Sequence, residues 1–423
     1  MDRAALEVRV DELLAERTDA NRNFFAAEAD RLARCCHRMA ERFAGGGRLV
    51  ALGASPVARS DARHVAVEFV HPVIVGKRAL PAIGLAPEGG PLALQLDTVA
   101  EPGDIVIAYG IGAEPRGEAA RALESARERG CLTIAFAPGG AEWEFEPPTG
   151  DPFVAQELVE TLYHVLWELV HVFFEHRGLL RGREAGPVHD TGESSFLYPF
   201  LSEGEHDLEA IVADVRNSVL MKAEEVGALR EQTLSENRHA LVAAAAALRA
   251  SLDGGGKLLA FGNGGSATDA MDLVADFRAA PSFPGDGGGA RWPARRAIDL
   301  TEDASILTAI ANDIGVEEIF QRQVIAYGRA GDTAVALSTS GNSANIIEAL
   351  GEARRRELAT IAFVGYDGGR VAEEGLADHV VITRSQHIPR IQEAQASGYH
   401  VLRELVEMFD GDAHGLDGAT RAG

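Results

Sequence analysis

At 423 residues, 46% hydrophobic and 25% charged, the chain has the length of two or three domains and the balance of a globular protein, not a disordered one. A formal net charge of −24 argues against DNA, RNA or an anionic membrane as its main partner, because phosphate-rich surfaces need a basic face. Three cysteines (Cys35, Cys36, Cys131) form no paired framework, the first residues are charged without an apolar core, and no apolar run approaches the ~20 residues of a membrane span. These features lead to the expectation of a cytoplasmic protein.

In chain order, the same plan is read twice. A helical stretch over about 4–44 leads into GGGRLVALG (45–53), and one over about 206–253 leads into GGGKLLAFG (254–262). The tetrapeptide TIAF occurs at 133–136 and again at 360–363; YHVLWELV (163–170) is matched by YHVLRELV (399–406). The three matches keep their order while their offset grows from 209 to 227 to 236, so the second copy carries insertions. Short apolar runs flanked by Gly and Asp predict buried parallel strands at 48–53, 104–108 and 132–136, and at 257–262, 332–337 and 359–364, alternating with helices. The expected fold is α/β: two tandem doubly wound parallel sheets, Rossmann-like or flavodoxin-like, each preceded by long helices, with ligands at the carboxyl ends of the strands. The expected domains are 1–176 and 206–423. The segment 177–205, rich in Gly, Pro, Ser and charge, reads as a linker, with Phe196, Leu197, Tyr198 and Phe200 docking on a domain surface.

In the second copy the strand DTAVAL runs into LSTSGNSAN (337–345), which opens a helix. Ser338, Thr339, Ser340 and Ser343 bring four hydroxyls to a helix N-terminus that already offers N–H groups and partial positive charge, a combination suited to a phosphate. Gly341 permits the sharp turn. A second glycine loop, Asn263-Gly264-Gly265-Ser266, follows the first strand of the same copy and would bring Ser266 and backbone amides toward the same ligand. A serine-rich helix cap is the bland alternative.

Together with AIANDIGVEEIF (309–320), VGYDGG and RIQE (390–393), these loops make residues 209–409 resemble the sugar isomerase (SIS) domain family and, within it, the phosphoheptose isomerases. The resemblance implies phosphate ligands at Ser266, Ser338, Thr339, Ser340 and Ser343, and sugar-hydroxyl contacts at Asn312 and Asp313. It also implies a zinc site of the pattern His-x3-Glu on the helix after the glycine loop and Gln-x7-His on the last helix. The second copy has Asp272 and Asp276, then Gln392 and His400, at those positions; the two aspartates favour a harder divalent ion than zinc. The first copy keeps the full set, His64 and Glu68 with Gln156 and His164. Its glycine loop, however, is interrupted by Pro56 and Val57, and YGIGAEPRG (109–117) stands where the hydroxyl loop would be, with no counterpart of IANDIGVEEIF. Shared packing in the YHVL segments would preserve His164 and His400 without chemistry.

What the resemblance implies is an aldose–ketose isomerase acting on a phosphorylated sugar, with sedoheptulose 7-phosphate the expected substrate. A divalent metal, zinc by resemblance, would polarise the carbonyl, with Asp276 or Glu68 as base and His400 or His164 as acid. The halves would specialise in a composite arrangement, and two tandem chains would form a homo-oligomer mimicking a tetramer. A non-catalytic sugar-phosphate sensor or protein-binding adaptor is the alternative, and a first copy that only supports assembly is compatible with either. Of the remaining residues, His387 and Arg390 are placed to touch a ligand. His171 and His176, and the acidic residues around Glu144 and Glu157, read as solvated; Cys35 and Cys36 read as core packing.

Overall fold

The computed structural model describes residues 3–74, 77–111, 117–175, 207–279 and 292–409. The linker and its four apolar residues, His176, and residues 112–116 of YGIGAEPRG lie outside the described residues.

The first repeat runs α1 (Arg3–Ala44), β1 (Leu49–Gly53), α2 (Pro56–Val70), β2 (Ala82–Leu85), α3 (Leu92–Val99), β3 (Ile105–Tyr109), α4 (Glu118–Glu128), β4 (Leu132–Ala135), β5 (Trp143–Glu144) and α5 (Pro152–Glu175). The second runs α6 (Leu208–Glu236), α7 (Arg238–Asp253), β6 (Leu258–Gly262), α8 (Gly265–Arg278), β7 (Ala297–Asp299), α9 (Ala304–Asp313), α10 (Gln321–Tyr327), β8 (Thr333–Ser338), α11 (Ala344–Arg355), β9 (Ala359–Gly365), α12 (Gly369–Glu373), β10 (His379–Thr383) and α13 (Ile388–Met408). Each repeat builds a five-stranded parallel sheet, ordered β2-β1-β3-β4-β5 and β10-β9-β8-β6-β7. Counted within its own repeat, each has the 2-1-3-4-5 order of flavodoxin-like sheets. The repeated peptides fall on matching elements: β1 and β6, β4 and β9, α5 and α13.

The second sheet shows why its strands read as continuous apolar runs. Leu258, Ala260, Val335, Leu337, Ile361 and Phe363 face one core with α7, α8 and α13. The alternate residues Leu259, Phe261, Ala334, Ala336, Ala362 and Val364 face the other, with α10 and α11. Period-two alternation that is apolar on both faces is what a doubly covered parallel sheet requires.

The stretch expected as one helix over 206–253 is broken at Asn237. Its side-chain amide donates to the carbonyls of Thr233 (2.8 Å) and Ile382 (2.9 Å), and its carbonyl accepts the Ile382 N–H at 3.0 Å. Asn237 thus satisfies the outer edge of β10 through its side chain.

The chain divides into two compact units. One comprises Met1–Asp19, Thr149–Glu157 and Val226–Gly423; the other comprises Ala20–Pro148 and Leu158–Glu225. The first carries the second repeat's sheet, and Leu6, Val10, Leu13 and Leu14 of α1 belong to its core. Among the described residues, no helix is long and apolar enough to cross a membrane.

Candidate functional site

The carboxyl ends of β6 and β8, neighbours in the second sheet, feed two helices. Neither helix is capped by a side chain: Gly264 precedes α8 and Ser343 precedes α11, each without a side-chain cap bond. Their first N–H groups keep the partial positive charge of a helix start. The two loops are tied by a reciprocal amide pair: Asn263 donates to Asn345 Oδ1 at 2.9 Å, and Asn345 donates to Asn263 Oδ1 at 2.8 Å. Asn263 therefore sets the spacing of the two loops.

Within the hydroxyl loop, Ser338 Oγ accepts the Gly341 N–H at 3.1 Å and Ser340 Oγ accepts the Asn342 N–H at 3.2 Å. Each hydroxyl accepts from the backbone and retains its own O–H to donate to an anion. Thr339, Ser340 and Ser343 are half-buried, and Ser266 and Ser338 are buried. The loop rests on the VGYDGG turn. Gly341 has φ +64°, and a Cβ there would lie 2.1 Å from the Gly368 carbonyl oxygen. Asn342 Oδ1 accepts the Arg370 N–H at 3.0 Å. Gln395 of α13 reaches the Ser338 carbonyl at 3.5 Å.

The corresponding start in the first repeat is closed. Ser55 caps α2, its Oγ accepting the Ala58 N–H at 3.1 Å, behind Pro56. A side chain of the chain itself takes the place an anion would occupy.

The second repeat gathers Asp272 and Asp276 of α8 with His400 of α13. His400 Nε2 lies 3.3 Å from Asp272 Oδ2 and 3.5 Å from Asp276 Oδ2, and Tyr399 donates to Asp272 at 2.9 Å. On its other side, His400 Nδ1 lies 3.0 Å from Glu157 Oε1. Glu157 also accepts from Arg17 Nε at 2.9 Å and from Ser397 Oγ, while Arg17 donates to Glu404 at 3.0 Å. Phe153 stacks on the imidazole with ring centroids 4.8 Å apart. All these charged groups are buried. Burial and the adjacent Asp272 push the Asp276 carboxyl well above its usual range. Burial opposes a charged His400, but its hydrogen bonds to Asp272 and Glu157 and the nearby Asp276 outweigh that and raise it well above the ordinary histidine value. Burial likewise opposes a charged Glu157, yet Arg17, His400 and Arg230 bring it down to about 2.

In the first repeat, His64 of α2 and His164 of α5 bring their Nε2 atoms to 3.3 Å, with Glu68 Oε1 4.0 Å from His64 Nε2. Glu160 joins the two histidines, ligand atoms of the three lying within 4.8 Å of one another. Burial first, and the neighbouring His164 second, hold His64 well below its ordinary value, so it is a neutral imidazole with a lone pair to give.

Both donor sets fit a divalent ion. The first offers two imidazoles and carboxylate oxygen, a zinc-like set; the second is carboxylate-rich, with a hydrogen-bonded carboxylate, Glu157, orienting its histidine as metal-binding histidines are oriented.

Sequence reasoning missed Glu157, Glu160 and Gln395. Glu160 lies four residues before His164, the spacing already used for His64 and Glu68, and was legible from it. Two expectations need correction. Glu157 and His171 are buried, not solvated: His171 lies 2.8 Å from the Trp167 carbonyl and 3.0 Å from that of Arg78. Glu144 accepts the N–H groups of Gly139, Gly140 and Ala141 and so organises a turn. Asn312 and Asp313 are exposed at the end of α9, where Asn312 donates to Asp313 at 2.7 Å. Arg390 is buried and ion-paired with Glu393. Gln392 and Gln156 are buried. Cys35 and Cys36 are core, as expected.

The SIS domain model matches residues 223–365. The phosphoheptose isomerase of Chlorobium phaeobacteroides is 41% identical over 211 residues, which are 50% of this chain and 88% of that protein. That of Thermodesulfovibrio yellowstonii is 38% identical over 199 residues, 46% of this chain and 92% of that protein. Among solved structures, the C-terminal domain of glucosamine-fructose-6-phosphate aminotransferase from Francisella tularensis matches with a TM-score of 0.60 at 10% identity, covering 94% of this chain and 95% of that one. That likeness is one of fold alone. A hydroxyl loop between two uncapped helix starts, and relatives matched over nearly their whole length, lead to one conclusion: this chain belongs to the phosphoheptose isomerase family of SIS-domain proteins.

Proposed function

We propose that the chain is a sugar-phosphate isomerase interconverting a ketose and an aldose, with sedoheptulose 7-phosphate and aldoheptose 7-phosphate as the pair; its relatives are named phosphoheptose isomerases, which supports the class. The observation that carries this reading is the open anion cradle, two uncapped helix N-termini flanking Ser338–Ser343, in the same compact unit as the Asp272, Asp276 and His400 cluster. The cradle binds the phosphate and fixes the sugar through a group remote from the reacting carbons, so that binding energy is spent on orientation. Isomerisation moves a proton between adjacent carbons through an enediol. A carboxyl held well above its usual range by burial and the adjacent Asp272 can carry a proton and so give and retake one, which is the role proposed for Asp276. His400, positively charged and fixed by Glu157, is the acid that steadies the developing oxyanion. In a metal-loaded site, a divalent ion held by Asp272, Asp276 and a neutral His400 would supply carbonyl polarisation in place of the imidazolium proton.

One observation favours a second reading, a sensor or adaptor that binds the sugar phosphate without turnover: both His400 nitrogens face carboxylates, and the ring is fully buried. The two separate in deuterated water. Protein supplied with Zn²⁺ or Mn²⁺ is incubated with sedoheptulose 7-phosphate beside a Ser338→Ala/Ser340→Ala control. Aldoheptose phosphate, or deuterium beside the carbonyl, absent from the control, is the expected result. Saturable binding without either replaces the isomerase by the sensor.

A further inference from the structure

The proton transfer described above gives no part to Arg403, a fully buried guanidinium on α13. We propose that Arg403 is the positioning residue of Asp276: it grips the last turn of α8 from the neighbouring helix and so holds the Asp276 carboxyl at His400. This role rests on the isomerase reading and adds a residue to it.

The last carbonyls of a helix have no partner within it, and α8 ends at Arg278, so Asp276 lies in its final turn. There the Ala275 carbonyl accepts the Ala279 N–H at 2.9 Å, and the Phe277 carbonyl accepts the Arg295 N–H at 2.6 Å. The Asp276 carbonyl accepts Arg403 Nε at 3.0 Å. A cation at the carboxyl end of a helix is also favoured by the helix dipole. His400 and Arg403 stand three apart on α13 and therefore share a face. His400 meets Asp276 at its carboxylate, Nε2 to Oδ2 3.5 Å, and Arg403 meets it at its backbone. One face of α13 thus holds both ends of the same residue.

The guanidinium is itself immobilised. Its carbon lies 4.6 Å from the centroid of the Phe277 ring and 4.8 Å from that of Trp292. Nη1 donates to Glu407, whose carboxylate is held in turn by Arg295 at 3.1 and 2.7 Å. Stacking between rings and a rigid fork of donors are properties of a guanidinium that an ammonium lacks. The two repeats show why an arginine stands here. YHVLWELV and YHVLRELV differ at one position, Trp167 in α5 and Arg403 in α13, and both side chains are fully buried. A charge placed where the sister helix packs an indole costs desolvation unless partners meet it. The helix facing it differs in step: α8 presents Asp272 and Asp276 where α2 presents His64 and Glu68. Arg403 brings a counter-charge to the aspartate pair. Asp276 is also one methylene shorter than a glutamate, so the reach of its carboxyl depends more closely on where the backbone of α8 is held.

The test must separate positioning from folding. Full-length wild type, Arg403→Lys and Trp292→Leu, supplied with Zn²⁺ or Mn²⁺, are assayed with sedoheptulose 7-phosphate. The Tm of each is measured, and hydrogen–deuterium exchange is followed by mass spectrometry. Arg403→Lys keeps a buried cation and loses the fork. It is expected to lower kcat about tenfold or more and to leave KM within about twofold, because the anion cradle lies at the opposite end of α8. Exchange is expected to quicken over residues 272–279 and to stay unchanged over 262–268. Trp292→Leu removes one ring of the sandwich at a half-buried position and is expected to act in the same direction; it decides if Arg403→Lys fails to fold. A kcat that falls only with the folded fraction makes Arg403 a packing residue and overturns the role, as does turnover that both variants leave unchanged. Those results leave the isomerase reading standing. A wild type that binds the sugar phosphate without turnover overturns that reading, and this role with it.

Discussion

Glu157 is the residue on which the second repeat's charge cluster turns. It accepts from Arg17, 140 residues away, and from His400, 243 residues away, with 1% of its surface exposed. Nothing local in α5 announces this. A glutamate on a helix reads as solvated, and only the distant partners make its burial tolerable. Glu157→Gln keeps the shape and removes the charge, so that Arg17 loses one of its two hydrogen-bonded carboxylates and keeps Glu404. The expected cost is about 3 kcal/mol, the range for breaking one member of a buried ion pair, read as a lower urea midpoint at pH 7. The pH dependence has a definite sign. A carboxyl held to about 2 in the folded chain and near its ordinary value when unfolded stabilises fully above about 4.5 and loses that contribution as pH falls toward 2. The wild type should therefore lose stability between about pH 5 and 3 more steeply than Glu157→Gln. Parallel slopes would remove Glu157 as the source.

At the scale of elements, the phosphate loop depends on a turn more than on its own hydroxyls. Gly341 sits at φ +64° against the Gly368 carbonyl, so Gly341→Ala sets an unfavourable φ against a backbone clash. The variant is expected to weaken sugar-phosphate binding at least about tenfold while the far side of the sheet stays folded, measured by calorimetric titration with circular dichroism as control. Unchanged affinity would mean the loop does not need this support. The loop's residue content was legible from sequence, because a strand, a glycine and a run of hydroxyls before a helix are local features. So were the strands: those expected at 257–262 and 359–364 are observed at Leu258–Gly262 and Ala359–Gly365, because burial on both faces leaves an unbroken apolar run. The break at Asn237 was not legible. It exists for the edge of β10, 145 residues further on. Nor was the Asn263–Asn345 tie, since either asparagine alone reads as a loop residue or a ligand.

At the scale of the molecule, the repeat in sequence is not the unit in space. The compact unit that holds the second repeat's sheet also takes Met1–Asp19 and Thr149–Glu157, from far upstream. Leu6, Val10 and Leu13 are fully buried in its core beside Leu241, Leu248 and Leu405. The opening turns of α1 are therefore core elements of the C-terminal sheet's unit, and Arg17 and Glu157 are its internal charges. A fragment of residues 206–423 contains every strand of the second sheet and the whole anion cradle, yet lacks these apolar side chains and leaves Glu404 without Arg17 and His400 without Glu157. It is expected to unfold without a cooperative transition, or to aggregate, where the full chain melts cooperatively. In the full chain, Leu13→Ala should cost about 2–5 kcal/mol, the range for deleting a leucine side chain from a packed core. Urea unfolding followed by tryptophan fluorescence measures both. A fragment as stable as the full chain, with Leu13→Ala near neutral, would show that the second repeat is self-sufficient and that the upstream segments merely cover it.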